Sequence, residues 1–89
     1  MENAAVAQVF RDLADVLERK KENPFKIRSY RRAAETIEVL PVQLEQVVSE
    51  GRLRELPGVG EAIARKITEI LTTGRLQKLE ELRAEMSGK

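Results

Sequence analysis

The chain has no cysteine, no histidine and no tryptophan. That excludes disulfides, a thiolate nucleophile, a Ser-His-type triad and any Cys/His zinc site. Lysine, tyrosine, aspartate and glutamate are the only side chains left for acid–base or nucleophilic chemistry. Aromatic residues are nearly absent too: Phe10, Phe25 and Tyr30 are all there are, so the core must be aliphatic. No apolar run approaches the ~18 residues of a membrane span, and the N-terminus carries no signal-peptide pattern. With no cysteine to suggest an oxidising compartment, the expected location is cytoplasmic. Strand signals, internal repeats and low-complexity segments are missing as well.

What remains is a chain of 89 residues, 42% apolar. That is one small domain, able to bury only about 60% of its unfolded surface. The formal net charge is +1, but the charge is unevenly placed. Between Glu18 and Arg32 stand seven basic residues, Arg19, Lys20, Lys21, Lys26, Arg28, Arg31 and Arg32, against Glu18 and Glu22. From Ala33 to Glu50 there are four glutamates and no basic residue. Such asymmetry creates a local positive field despite a near-neutral total.

Apolar residues recur at helical spacing almost throughout. Asn3 is the expected N-cap of a first helix over about 4–21, with Val6, Val9, Phe10, Leu13, Val16 and Leu17 on its inner face. Asn23-Pro24 closes a loop, and a second helix over about 25–39 buries Ile27, Tyr30, Ala33, Ala34 and Ile37. Its other face carries Lys26, Arg28, Arg31 and Arg32. Pro41 is placed at the start of a short helix through Val42, Leu44, Val47 and Val48, which stops at Gly51. Arg52–Glu55 forms a single helical turn. A helix over about 61–73 ends at Gly74, and a last one over about 75–86 carries Leu76, Leu79, Leu82 and Met86. Ser87-Gly88-Lys89 is expected to be loose. The fold class is therefore all-α, a single domain of four main helices plus one or two short ones.

The chemistry centres on Leu56-Pro57-Gly58-Val59-Gly60, which reads as a tight hairpin opening into the 61–73 helix. Pro57 presets a turn, and the glycines permit conformations or close approaches that a Cβ blocks. Backbone N–H groups around Gly58 and Gly60, at a helix N-terminus, suit a phosphate oxygen. An ordinary turn between two packed helices is the plain alternative. On the following helix Lys66 lies about a quarter turn from the Ile63–Ile67–Ile70 stripe. Its stem can pack while its ammonium reaches the surface, and such a lysine can attack a carbonyl as the free amine. An ordinary flank lysine is the competing view. Tyr30 packs in the core with its hydroxyl at the edge.

The hairpin, the Asn23–Ala34 segment, Ile63-Ala64-Arg65-Lys66-Ile67 and Thr73–Glu80 stand in the order found in the N-terminal helix-hairpin-helix domain of family X DNA polymerases. Over about residues 5–83 the chain resembles that domain in its bacterial, polymerase beta-like form. The resemblance implies a single DNA-binding domain, its helix-hairpin-helix at about 52–73, continuous with polymerase domains in a longer protein. It implies that the chain holds gapped or 5′-phosphorylated DNA without sequence preference, as a monomer. By the same resemblance Lys26, Tyr30 and Lys78 line a 5′-phosphate pocket, and Gly58, Val59 and Gly60 offer backbone groups to the DNA. A monovalent cation, Na⁺ or K⁺, is implied at the carbonyls of Arg54, Leu56 and Val59. Mg²⁺ is needed only in a polymerase domain that this chain lacks. Lys66 matches a lysine that acts as the nucleophile of a 5′-deoxyribose-phosphate lyase. Phe25 and Ala62 depart from the family, standing where polymerase beta has a histidine and a second lysine, and Glu61 adds a carboxylate beside the hairpin. Two other functions stay open: a DNA-binding module without chemistry, and a helical protein–protein adaptor using an apolar stripe on the Leu76–Met86 helix.

Overall fold

Helix α1, Asn3–Arg19, is the element on which the others are laid. In a computed structural model describing residues 1–88 it is followed by α2 (Pro24–Glu38), α3 (Leu44–Ser49), a single 3-10 turn (Leu53–Glu55), α4 (Glu61–Thr73) and α5 (Gln77–Gly88). No strand occurs among the described residues, and none of their helices is long and apolar enough to cross a membrane. The all-α expectation holds, with four longer helices and two short elements.

Helix α1 packs most extensively against α2 and also touches α4 and α5. It can do so because its apolar residues cover more than one stripe. Val6, Phe10, Leu13 and Leu17 are buried at core spacing, and Ala7 and Ala14 are fully buried beside them. On α2, Ala33 and Ala34 are also fully buried, and small residues on both helices permit close approach. The helices are antiparallel: Arg11 pairs with Glu38 at 2.6 Å and Glu18 with Arg31 at 2.7 Å. These exposed pairs contribute little to stability. The aliphatic core does most of it, with Phe10 as its one aromatic residue, stacked on half-buried Tyr30 at a centroid distance of 6.1 Å.

Asn3 does not cap α1. The N-cap is Glu2, without a side-chain hydrogen bond, and Asn3 is buried. Its Nδ2 donates to the Val42 carbonyl at 2.7 Å, and its Oδ1 accepts from the Leu44 amide at 2.9 Å. Asn3 therefore caps α3, the first residue of which is Leu44. Gln43, between the two clamped residues, is extended, the chain bends at Pro41 and Val42, and Pro41 stays outside α3.

Other boundaries shift for similarly local reasons. Helix α1 stops at Arg19 because Lys21 turns left-handed, at φ +57°, and the Glu22 amide bonds back to the Leu17 carbonyl. Asn23 caps α2 through the Phe25 amide, with Pro24 at the first helical position. Helix α4 has the expected bounds and ends at left-handed Gly74. Helix α5 starts later than expected, at Gln77, where the Glu69 carboxylate accepts the Gln77 amide at 2.7 Å. It also runs on through Ser87, expected to be loose, whose hydroxyl donates to the Arg83 carbonyl. Lys89 lies outside the described residues. Leu76, Leu79 and Leu82 are all buried in the common core. The apolar stripe offered as an adaptor surface is thus consumed by folding, leaving only Met86 exposed on that line.

Candidate nucleic-acid interface

The hairpin grows from the core outward. Leu53, in the 3-10 turn, and Val59 are both buried, and they pin the ends of the segment between them. The Val59 amide donates to the Leu56 carbonyl at 3.1 Å, closing a turn with Pro57 and Gly58 at its centre. Gly58 has φ +79°. A proline followed by a left-handed residue is the signature of a type II turn, which favours glycine at this position. Helix α2 supports the turn from outside: Thr36 Oγ1 donates to the Pro57 carbonyl at 2.9 Å. One helical turn earlier, the Arg32 side chain lies under Gly58, within 3.1 Å of where a Cβ would stand.

Gly60 is different. It is extended, at φ −92° and ψ −169°, and serves as the N-cap of α4. A Cβ there would meet nothing within 4 Å. Neither conformation nor internal packing therefore demands glycine at this exposed position. The amides of Gly58, Gly60, Glu61 and Ala62 find no acceptor among the described residues. They form a patch of open donors at the positive end of α4. Glu61, beside them, is held in a 2.6 Å pair with Arg65.

Next to this patch the lysines gather. Lys26, Tyr30, Gly58, Gly60 and Ala62 line a shallow depression of about 430 Å³. Lys26 and Tyr30 also line a more enclosed one of about 210 Å³, together with Lys20, Lys78, Glu22 and Glu85. Lys66 is half-buried, its Nζ 5.8 Å from the centre of the Tyr30 ring. The Tyr30 ring thus contacts both the Phe10 ring and the Lys66 ammonium, the latter a cation–π arrangement.

The ion pairs explain how a chain of charge +1 presents a basic site. Arg11, Arg31, Arg52, Arg65, Arg75 and Arg83 each have a carboxylate partner. Lys26, Lys66 and Lys78 have none among the described residues. Arg19, Lys21, Arg28, Arg32 and Arg54 also have none. What sets the three lysines apart is their place near Tyr30, where Glu22 and Glu85 line the same depression as Lys26 and Lys78. A further depression, between α1 and α5, holds Asp12 and Arg83 already paired at 3.2 Å.

The structure therefore brings Lys26, Tyr30, Lys66, Lys78, Gly58 and Gly60 to one side of the molecule. The basic face expected on α2 is divided: Arg31 is committed to Asp15 and Glu18, Arg32 supports the hairpin, and Arg28 lies 5.5 Å over the Phe25 ring. The Val59 side chain is buried, so only its backbone can serve a ligand. Arg54 and Val59 have carbonyls without a donor among the described residues, and the Leu56 carbonyl accepts only the Val59 amide. Each therefore keeps a lone pair for a further ligand. Sequence reasoning missed Arg32 and Thr36 as supports of the hairpin. Their four-residue spacing was a signal, but their target was not visible.

Residues 1–76 match the family model of the helix-hairpin-helix domain, and the chain belongs to that family. Over 52 residues it is 46% identical to the DNA polymerase lambda of Arabidopsis thaliana. That match takes in 58% of this chain and 9% of the polymerase, so the chain corresponds to a small part of that protein.

Proposed function

We propose that the chain holds the sugar-phosphate backbone of DNA at a gap, with the terminal 5′-phosphate among Lys26, Lys66 and Lys78. The observation that carries this reading is the convergence of three unneutralised lysines around Tyr30, beside a helix N-terminus with open amides. Phosphate contacts of this kind position a duplex without reading its sequence. Gly60 fits the same view, because the open space over it leaves room for a backbone to approach. A bound Na⁺ or K⁺ at the Arg54, Leu56 and Val59 carbonyls would supply positive charge to a phosphate oxygen. The likeness to a DNA polymerase supports a role as the N-terminal domain of a family X repair polymerase; in our reading the protein is monomeric and cytoplasmic, with Mg²⁺ chemistry confined to its other domains.

Lys66 gives the site a reaction as well. Its neutral amine attacks the C1′ aldehyde of a ring-opened 5′ abasic sugar, and water leaves to form a protonated imine. The imine withdraws electrons, a base such as water takes the C2′ proton, and the C3′–O bond breaks to release the downstream strand with its 5′-phosphate. Water then hydrolyses the imine, freeing Lys66 and the unsaturated sugar phosphate.

Fluorescence anisotropy on a gapped duplex tests binding. Three lysines and the hairpin neutralise about four phosphates, so log K should fall against log salt with a slope of about −3.6. A flat salt response overturns the reading. Borohydride should trap a covalent adduct with abasic DNA, and Lys66→Ala should remove most of it. Binding without an adduct leaves a DNA-binding module and eliminates the lyase.

A further inference from the structure

Lys20 is the exception among the lysines of the enclosed depression. Its Nζ donates to Glu85 Oε1 at 2.8 Å, joining the end of α1 to α5. Both residues line the depression that Lys26 and Lys78 also line. Glu85 stands seven residues after Lys78 on α5, two turns along the same face. The hydrogen bond from Lys20 is the main cause holding the Glu85 carboxyl below its ordinary range, and Lys78 adds to it. Glu22 also lines the depression, but only Glu85 is hydrogen-bonded to a lysine there, so an anion already holds one cation of a site read above as a phosphate site.

The two partners are not equally held. The Lys20 side chain is 23% exposed, its stem packed, whereas that of Glu85 is 60% exposed. Glu85 is the partner free to swing away. A terminal phosphate carries about −1.5 to −2 charge, more than a carboxylate, and has three acceptor oxygens. It can displace Glu85 and take over the ammonium.

Building on the phosphate-binding reading, we propose that the Lys20–Glu85 pair is a latch. Glu85 is an internal anion that competes with a terminal phosphate, and Lys20 is a fourth phosphate ligand released when Glu85 is displaced. The latch sets the affinity for phosphorylated ends without touching the hairpin. Opening a partly exposed ion pair costs roughly two- to fivefold in affinity.

The test compares one-nucleotide-gapped duplexes that differ only in a 5′-phosphate or a 5′-hydroxyl, by anisotropy at fixed salt. Glu85→Gln should tighten the phosphorylated duplex roughly two- to fivefold and leave the hydroxyl duplex unchanged. Lys20→Ala in the same background should lower it again. Glu81→Gln, the same charge change outside the depression, controls for net charge and should not discriminate between the ends. If the wild type prefers the phosphorylated end but Glu85→Gln changes both ends alike or neither, the latch is refuted while the pocket stands. If neither protein distinguishes the ends, the phosphate pocket itself is refuted and the latch with it.

Discussion

The two hairpin glycines should fail differently when a Cβ is added. At Gly58, φ +79° places an L-residue in the left-handed region, at a cost of about 1–2 kcal/mol. Alanine recovers about 0.4–1 kcal/mol through a less flexible unfolded chain. The new Cβ would stand 3.1 Å from Arg32 Cγ and Cδ, atoms of a long exposed side chain that can yield by a few tenths of an ångström. The Thr36–Pro57 hydrogen bond and the Val59 anchor do not involve that Cβ. Gly58→Ala should therefore destabilise the fold by about 1 kcal/mol net, a fall in Tm of roughly 4–8 °C for a domain of this size. Gly60→Ala meets no atom within 4 Å and needs no unusual backbone, so its stability should stay within ~0.5 kcal/mol of wild type. Its methyl nonetheless stands where a phosphate would approach. Urea unfolding and anisotropy on the same variants separate the effects: Gly58→Ala shifts the midpoint, whereas Gly60→Ala shifts DNA affinity alone. A folded Gly60→Ala variant with wild-type DNA affinity would refute the close-approach argument.

Two further outcomes follow from tertiary contacts. Asn3→Ala removes both side-chain hydrogen bonds and leaves the Val42 carbonyl and the buried Leu44 amide bond unsatisfied. It should cost about 2–3 kcal/mol in urea unfolding, far more than loss of an exposed cap, and a loss under ~0.5 kcal/mol would contradict the clamp. The Lys20–Glu85 pair sets a pH window for stability. Glu85 is held below its ordinary value of 4.5, so its contribution is complete above that pH and disappears as pH falls through the lowered value. Lys20 is raised above its ordinary 10.5 by the hydrogen bond to Glu85, so its share is complete below that pH and disappears as pH rises through the raised value. Unfolding followed against pH should show a shallower acid limb in Glu85→Gln than in wild type, and identical limbs would count against the pair.

The sequence by itself determined the helices and the turn. Helical spacing of Val6, Phe10, Leu13 and Leu17 fixes the buried face of α1, and Gly74 fixes the end of α4, because both follow from local geometry. Leu56-Pro57-Gly58 contains everything a type II turn needs within four residues. Other features depended on distance in space. Asn3 has the chemistry of a cap, but only the packed chain puts Leu44 rather than its own helix within reach. The leucines of α5 could have formed a surface stripe, and the core claimed them because α1 still had apolar area to cover. Above all, composition gives a charge of +1 and cannot say which cations remain unneutralised. Folding decides that by pairing six of the ten arginines with carboxylates along and between helices, and by setting the unpaired Lys26, Lys66 and Lys78 near Tyr30. Charge is a property of the chain, but field is a property of where each partner lies.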